Sequence, residues 1–218
     1  MIKRIYRELI YDLKEPGINI WMIPMVALTF IIMTFLVQKA LDFAGKENVL
    51  TLPMLGALIP TLGGYGALML MQGLFETEGG EIAFSYPRTR LYWGLIRQLR
   101  FFILHGLWVI VICLFVCSIL HSPASSIIRL TLAQCFAVMG VAFLGTTVSK
   151  KAGIGLVVMV AFVGIQLVMG QYMANLNWIY DLGRGSLLPA SMQPVTKELN
   201  ALVIGVFSWG LGQVWLRP

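Results

Sequence analysis

Long apolar stretches alternate with short polar segments along the whole chain. A helix that crosses a hydrocarbon core of about 30 Å needs about 20 predominantly apolar residues. Six stretches satisfy this requirement, at residues 19–38, 52–75, 99–120, 127–148, 153–175 and 198–216. Because lipid offers a free backbone group no hydrogen-bond partner, and because these stretches lack the polar alternation of barrel strands, each is predicted to be a helix. The pattern therefore predicts an all-α membrane protein with six transmembrane helices.

The beginning of the chain follows a different pattern, in which apolar side chains recur at spacings of three and four. These side chains are Ile2, Ile5, Tyr6, Leu9, Ile10 and Leu13, with charged residues on the opposite face. A helix of this kind lies on a membrane surface, with its basic residues near anionic head groups. The chain is thus divided into an amphipathic interface helix, residues 1–16, and a six-helix membrane domain, residues 17–218. A solvated, charged lead-in to the first span is the alternative interpretation.

The composition agrees with a lipid environment, and the charges predict an orientation. Mean hydropathy is +0.82, with 58% hydrophobic and 12% charged residues, which is too apolar for a water-soluble surface. Basic residues are retained in short cytoplasmic loops, and eleven of the 16 Lys and Arg residues lie on one side if the N-terminus is cytoplasmic. Both termini are therefore predicted to be cytoplasmic. The net charge of +6 is spread over these loops, so no nucleic-acid partner is expected.

The segment between the second and third apolar stretches, residues 76–98, is the most distinctive polar part of the chain, and we call it the elbow. Seven charged residues lie in it or directly after it: Glu76, Glu78, Glu81, Arg88, Arg90, Arg97 and Arg100. The predicted orientation places the elbow in the cytoplasm. A charged, structured segment between two spans is typical of contact with another protein, whereas a solvated loop held to lipid head groups by its arginines is the alternative.

A cluster of helix-breaking residues lies in the second apolar stretch. It consists of Pro60, Gly63, Gly64 and Gly66. Such residues can bend a helix, and they also let neighbouring helices approach closely. Their density predicts a hinge or a bend beside a transport pathway, with ordinary helix packing as the alternative for any single glycine.

The sequence lacks several patterns that would power or catalyse a reaction. No Asp or Glu lies deep in an apolar stretch, which argues against an ion-coupled carrier. No Gly-x-x-x-x-Gly-Lys-Ser/Thr phosphate loop occurs, so the chain is not expected to bind ATP in that manner. His105 is more typical of a hydrogen-bonded structural histidine than of a proton shuttle. Cys113, Cys117 and Cys135 are expected to be buried hydrophobic side chains rather than metal ligands.

The elbow resembles the cytoplasmic loop between spans two and three of type 2 ATP-binding-cassette (ABC) exporter permeases. In that family the loop has a Glu-Gly-hydroxyl-Glu turn, a short apolar helix, a proline, a hydroxyl residue and an arginine. The matching residues are Glu78, Gly79, Glu81, a helix at 82–86, Pro87, Thr89 and Arg90. Gly80 stands where a hydroxyl residue is usual, and Arg88 adds a charge. The overall layout is also similar to that of the family, including an enlarged outer loop at residues 175–197.

The resemblance implies a permease subunit that forms half of an export pathway and is driven by a separate ABC ATPase subunit. In this role Ile82, Phe84 and Tyr86 would fill a groove on the ATPase. The residues that would turn the chain or fix the register by charge are Glu78, Gly79, Gly80, Glu81, Pro87, Arg88 and Arg90. The partner ATPase would use ATP and Mg, and this chain is expected to bind no cofactor of its own.

The resemblance further implies a second permease subunit, identical or homologous, and contact with membrane lipid. A multi-pass location in the plasma membrane of a prokaryote is expected, with an amphipathic peptide, a lipid or a hydrophobic drug as substrate. A non-transporting membrane scaffold or binding protein is the alternative function, followed by an intramembrane enzyme. No catalytic residue and no metal site are predicted.

Overall fold

Helices make up almost all of the part of the chain that the computed structural model describes. This part comprises residues 26, 29–30, 33, 48–76, 91–120, 124–172 and 193–216, with side chains described for residues 26, 29–30, 33, 56–76, 91–118, 124–166 and 197–216. The long helices are α1 (Asn48–Phe75), α2 (Arg97–Leu120), α3 (Ala124–Ser149), α4 (Ala152–Tyr172) and α5 (Gln193–Trp215). A π-helical turn, Tyr92–Ile96, leads directly into α2.

The predicted all-helical class is confirmed within these residues, and each of α1 to α5 coincides with one predicted apolar stretch. By length and composition, three described segments could cross a membrane: Gly56–Phe75, Tyr92–Ser118 and Ala124–Ser149. A shorter apolar helix covers Ala152–Gln166. Of the first stretch, 19–38, only four residues are described, and the interface helix at 1–16 lies outside the described residues. The complete six-span layout stays a prediction.

Helix α3 is the centre of the described bundle. It packs against α1, α2, α4 and α5, and 14 of its residues between Thr131 and Thr147 are buried. Many of them are small, which lets the four neighbouring helices approach α3 closely. The Thr146 and Thr147 hydroxyls donate to the Ala142 and Phe143 carbonyl oxygens at 2.8 and 2.9 Å. These polar side chains are therefore satisfied within their own helix and can be buried without a partner from another helix.

Helix α5 approaches α3 closely at Gly140 and Gly205. A Cβ atom at Gly140 would lie 2.6 Å from Trp209 Nε1 and 3.2 Å from the Gly205 carbonyl oxygen. Trp209 fills the space beside Gly140, and Phe136 fills the space beside Gly205. Trp209 is only 2% exposed. Its ring stacks on Phe136 at a centroid distance of 5.2 Å, and its Nε1–H donates to the Phe136 carbonyl oxygen at 3.0 Å. The glycines thus allow a large side chain with a polar group to be buried between two helices.

The predicted hinge cluster of α1 lies inside a continuous helix. Its members, Pro60, Gly63, Gly64 and Gly66, are all buried. Added Cβ atoms at the three glycines would meet, in chain order, His105, Met159 and Phe101. Side chains of α2 and α4 therefore fill the glycine face of α1, which is the close packing that small residues permit. The role of this cluster as a hinge or pathway stays a prediction.

Buried polar side chains connect α1 to α2. Gln98 Nε2 donates to the Ala67 carbonyl oxygen at 2.9 Å. His105 Nε2 lies 3.3 Å from the Ile59 carbonyl oxygen, and its ring stacks on Phe101 at a centroid distance of 6.0 Å. These are the contacts of a structural histidine, in agreement with the sequence interpretation. The cysteines Cys113, Cys117 and Cys135 are buried, as expected.

Gly140→Ala is expected to lower the free energy of unfolding, because the added methyl group has no room beside Trp209 and the Gly205 carbonyl. Overpacking of this kind costs about 1–3 kcal/mol, which equilibrium unfolding in mixed micelles followed by circular dichroism can measure. Gly164→Ala is the matched control, since no atom lies within 4 Å of that Cβ position. That change should be neutral or stabilise by up to about 1 kcal/mol. Equal effects of the two substitutions would contradict the packing between α3 and α5.

Candidate functional site at the two ends of the elbow

The described residues include both ends of the elbow and exclude its middle. Residues 77–90 lie outside the described residues, and with them every position predicted to contact an ATPase: Glu78, Gly79, Gly80, Glu81, Ile82, Phe84, Tyr86, Pro87, Arg88 and Arg90. The role of these ten residues stays a prediction. Glu76 at the entry and residues 91–98 at the exit are described, so the geometry of the two ends defines the candidate site.

Glu76, the entry residue, links α1 to the beginning of α4. Its backbone N–H donates to the Gln72 carbonyl oxygen at 2.9 Å, which continues the last turn of α1. Gln72 Nε2 donates to Glu76 Oε2 at 3.0 Å, and the Ala152 backbone N–H donates to Glu76 Oε1 at 2.7 Å. The carboxylate thus caps the N-terminus of α4, where a helix has unpaired N–H groups and its dipole favours a negative charge.

The turn between α3 and α4 presents this N-terminus to Glu76. Lys150 has a φ of 55°, in the left-handed region, which reverses the chain at the end of α3. Ser149 Oγ donates to the Gly145 carbonyl oxygen at 2.7 Å and accepts the Lys151 backbone N–H at 3.3 Å. The turn thereby places the Ala152 backbone N–H at the start of α4, where the Glu76 carboxylate accepts its hydrogen bond.

The exit of the elbow enters α2 through the π-helical turn Tyr92–Ile96. Such turns depart from the regular α-helical hydrogen-bond pattern and are frequent at functional sites. The Leu95 backbone N–H donates to Gln213 Oε1 of α5 at 2.9 Å. Gly94 permits this approach, because a Cβ atom there would overlap Gln213 and Leu216. The C-terminal end of α5 therefore holds the exit of the elbow.

The arginines after the π-turn lie against the protein. Arg97 is only 2% exposed. The guanidinium carbon of Arg100 lies 5.0 Å from the centroid of the Tyr92 ring, which is a cation–π contact. Tyr92 in turn meets Trp93 edge to face at a centroid distance of 5.8 Å. The Arg-bearing approach to the third apolar stretch is therefore part of the packed structure and not a solvated face.

An apolar cluster, which we call the end cluster, lies beside both ends of the elbow. It consists of Met71, Leu74, Phe143 and Leu216, with Phe75 and Trp93 packed against it. Its members come from α1, the π-turn, α3 and the residue directly after α5, so the cluster joins the entry and the exit of the elbow through the central helix. Because packed interiors have low compressibility, a displacement of either end acts on this shared core.

Chemically, the arrangement is suited to transmitting force. One carboxylate and one carboxamide each bind a backbone N–H of a distant helical segment. Within the described ranges, no group of three or more His, Cys, Asp or Glu side chains could hold a metal ion. Hydrogen bonds and apolar packing build this junction between the ends of the elbow and the bundle.

Sequence reasoning missed most of this junction. It placed Glu76 in the elbow without assigning it a partner, and it did not select Gly94 or Gln213. The available signals were single residues near the ends of apolar stretches. Glu76 directly follows the second stretch, Gly94 precedes the third, and Gln213 lies near the end of the sixth. Such isolated residues are too common to identify a contact between helices.

Comparisons of the chain with protein-family models, with curated proteins and with solved structures find no match. The inference of function therefore depends on the residues and on the geometry of the two elbow ends.

Glu76→Ala is expected to remove the cap of α4, lowering the free energy of unfolding by about 1 kcal/mol and speeding amide exchange at the start of α4. Glu76→Gln keeps a carbonyl acceptor and should lose only the charge contribution, about 0.3–1 kcal/mol. Hydrogen–deuterium exchange of residues 149–158 by mass spectrometry measures both effects. Wild-type exchange in the alanine variant would show that the carboxylate does not cap this helix.

Gln213→Leu is expected to leave the Leu95 N–H without its acceptor, at a cost of about 1–3 kcal/mol. Exchange at residues 92–98 should become faster, because the π-turn loses its connection to α5. Gln213→Glu is the matched control, since it retains an acceptor oxygen at the same distance from the backbone. If exchange at residues 92–98 were unchanged in the leucine variant, Gln213 would not be what holds the turn.

Proposed function

We propose that the chain is the membrane-spanning permease subunit of an ATP-driven ABC exporter and performs no catalysis of its own. In this proposal six helices cross the plasma membrane of a prokaryote, and an amphipathic helix at residues 1–16 lies on its inner surface. The distribution of basic residues favours cytoplasmic termini. The end of the bundle that bears Glu76 is then the cytoplasmic end, where an ATPase would bind.

The proposal depends above all on one observation: the two ends of a charged segment are docked on two different helices. Glu76 caps α4, and Leu95 donates to Gln213 of α5. A force applied to residues 77–90 would therefore act on α4 and α5 as well as on the adjoining helices α1 and α2. A solvated loop tethered only to lipid head groups would need neither contact. The docking supports a role in coupling.

The remaining parts of the proposed exporter lie in partner subunits. ATP and Mg belong to the ABC ATPase subunit, which the elbow would bind through Ile82, Phe84 and Tyr86 as anchors. A second permease subunit, identical or homologous, would complete the pathway. The apolar composition of the helices suits an amphipathic peptide, a lipid or a hydrophobic drug as substrate.

Combined replacement of Glu81 and Arg90 by alanine is expected to lower the amount of co-purified ATPase about tenfold, because charge complementarity fixes the register of the elbow. The full chain is purified gently from its native membrane, and its companions are identified and quantified by mass spectrometry. Glu47→Ala with Arg184→Ala, both predicted on the opposite side of the membrane, is the matched control and should retain the ATPase. A wild-type preparation without a nucleotide-binding companion would overturn the proposal.

Variants of the docked ends separate binding from coupling in the same preparation. Glu76→Ala and Gln213→Leu leave residues 77–90 unchanged, so the ATPase should remain bound. Its hydrolysis in proteoliposomes should respond less to the permease, because the force reaches α4 and α5 less effectively. Full coupling in both variants would show that the docked ends do not transmit the motion.

A further inference from the structure

A groove with a volume of about 410 Å³ opens between α2, α3 and α5, at the end of the bundle far from Glu76. Its apolar lining consists of Phe102, Leu132, Ala133, Phe136 and Leu202. Arg129 and Glu198 complete the lining as an ion pair. The volume lies within the range of about 300–1,000 Å³ that is typical of small-molecule sites. An apolar lining with few polar groups is also typical of such sites.

The groove extends from the helix ends toward the interior of the bundle. Arg129 and Phe136 are seven residues apart on α3, which corresponds to about 10 Å along the helix axis. At the deep end the Phe102 and Phe136 rings meet edge to face at a centroid distance of 5.3 Å. Helices α2 and α3 are both long and apolar enough to cross a membrane. The groove therefore has its charged end near the level of lipid head groups and its apolar end near the acyl chains.

The ion pair at the charged end is incompletely satisfied. Arg129 Nε lies 3.7 Å from Glu198 Oε1, which is too long for a hydrogen bond. Glu198 Oε1 is buried and accepts no hydrogen bond, whereas the Arg129 side chain is 65% exposed. Glu198 thus lines the groove with a carboxylate that has an unpaired oxygen, next to a guanidinium group that is mostly exposed.

We propose that this groove binds one zwitterionic phospholipid of the phosphoethanolamine type from the surrounding leaflet. The phosphate accepts hydrogen bonds from the Arg129 guanidinium, whose planar fork matches phosphate oxygens. The ammonium group donates to the Glu198 carboxylate, and one acyl chain lies along the five apolar side chains. The headgroup carries two opposite charges close together, as the ion pair does. An anionic headgroup without an ammonium would bring a second negative charge to the Arg129–Glu198 pair with no added positive charge to offset it.

The lipid site does not depend on the proposed coupling function, and its test measures lipid retention alone. The full chain is exchanged into detergent containing phosphatidylethanolamine, phosphatidylglycerol or diacylglycerol with the same acyl chains, and bound lipid is counted by native mass spectrometry. Phosphatidylethanolamine should bind about tenfold more tightly than either other lipid, as two charge-assisted hydrogen bonds imply. Arg129→Gln should remove most of this binding, and Glu198→Gln should abolish the preference over phosphatidylglycerol.

A steric variant tests the position of the lipid without changing a charge. Leu202 and Val203 are neighbours of nearly equal exposure, 46% and 47%, and only Leu202 lines the groove. Leu202→Trp should lower phosphatidylethanolamine retention about tenfold, because the indole occupies the volume of the acyl chain, whereas Val203→Trp should retain the lipid. Equal retention in the two tryptophan variants would overturn the proposal. Equal retention of diacylglycerol and phosphatidylethanolamine by the wild-type chain would also overturn it, since the head group would then not be recognised.

Discussion

The close approach of neighbouring helix backbones to α3 is the constraint on which the rest of the described bundle depends. Lipid tails are as apolar as the side chains they would replace, so helices in a membrane associate through packing and internal hydrogen bonds. Gly140 and Gly205 bring α5 near enough for Trp209 to reach the Phe136 carbonyl oxygen. Gly155 has the same effect in α4, where an added Cβ atom would overlap α3. Larger residues at these positions would force the helices apart or displace the side chains that now fill the space.

Because α3 fixes the positions of its neighbours, the bundle can be closely packed at one end and open at the other. At the elbow end, the side chains of Glu76 and Gln213 accept hydrogen bonds from backbone N–H groups of α4 and of the π-turn. At the other end, α3 and α5 are joined by an ion pair at 3.7 Å beside an open groove. In the two proposals, the junction at the elbow end transmits force and must be firmly packed, whereas the groove exchanges a lipid and must open to the membrane. One central helix supports both arrangements because its packed middle separates them.

The helices of the fold are predictable from the sequence to a greater extent than the contacts of the candidate site. The apolar stretch 127–148 corresponds to Ala124–Ser149, because burial in lipid imposes length and composition on a helix. The contacts of Glu76 and Leu95 have partners 76 and 118 residues away in the chain, and no local pattern specifies them. The breaker cluster of α1 shows the same limit. Glycines that bend a helix have the same sequence pattern as glycines against which side chains of neighbouring helices pack. Only the positions of the neighbouring helices distinguish the two.

The two links between the elbow and the bundle differ in how easily they can be broken. A hydrogen bond contributes only about 0.5–1.5 kcal/mol when water can replace the lost partner, and about 1–3 kcal/mol when a buried group is left unpaired. Glu76 is exposed, so water can replace its carboxylate at the start of α4. Gln213 is half-buried, and its side chain lies beside Gly94 together with that of Leu216, a member of the end cluster. In the proposed exporter we therefore expect the α4 contact to open first, while the exit of the elbow and α5 move as one unit.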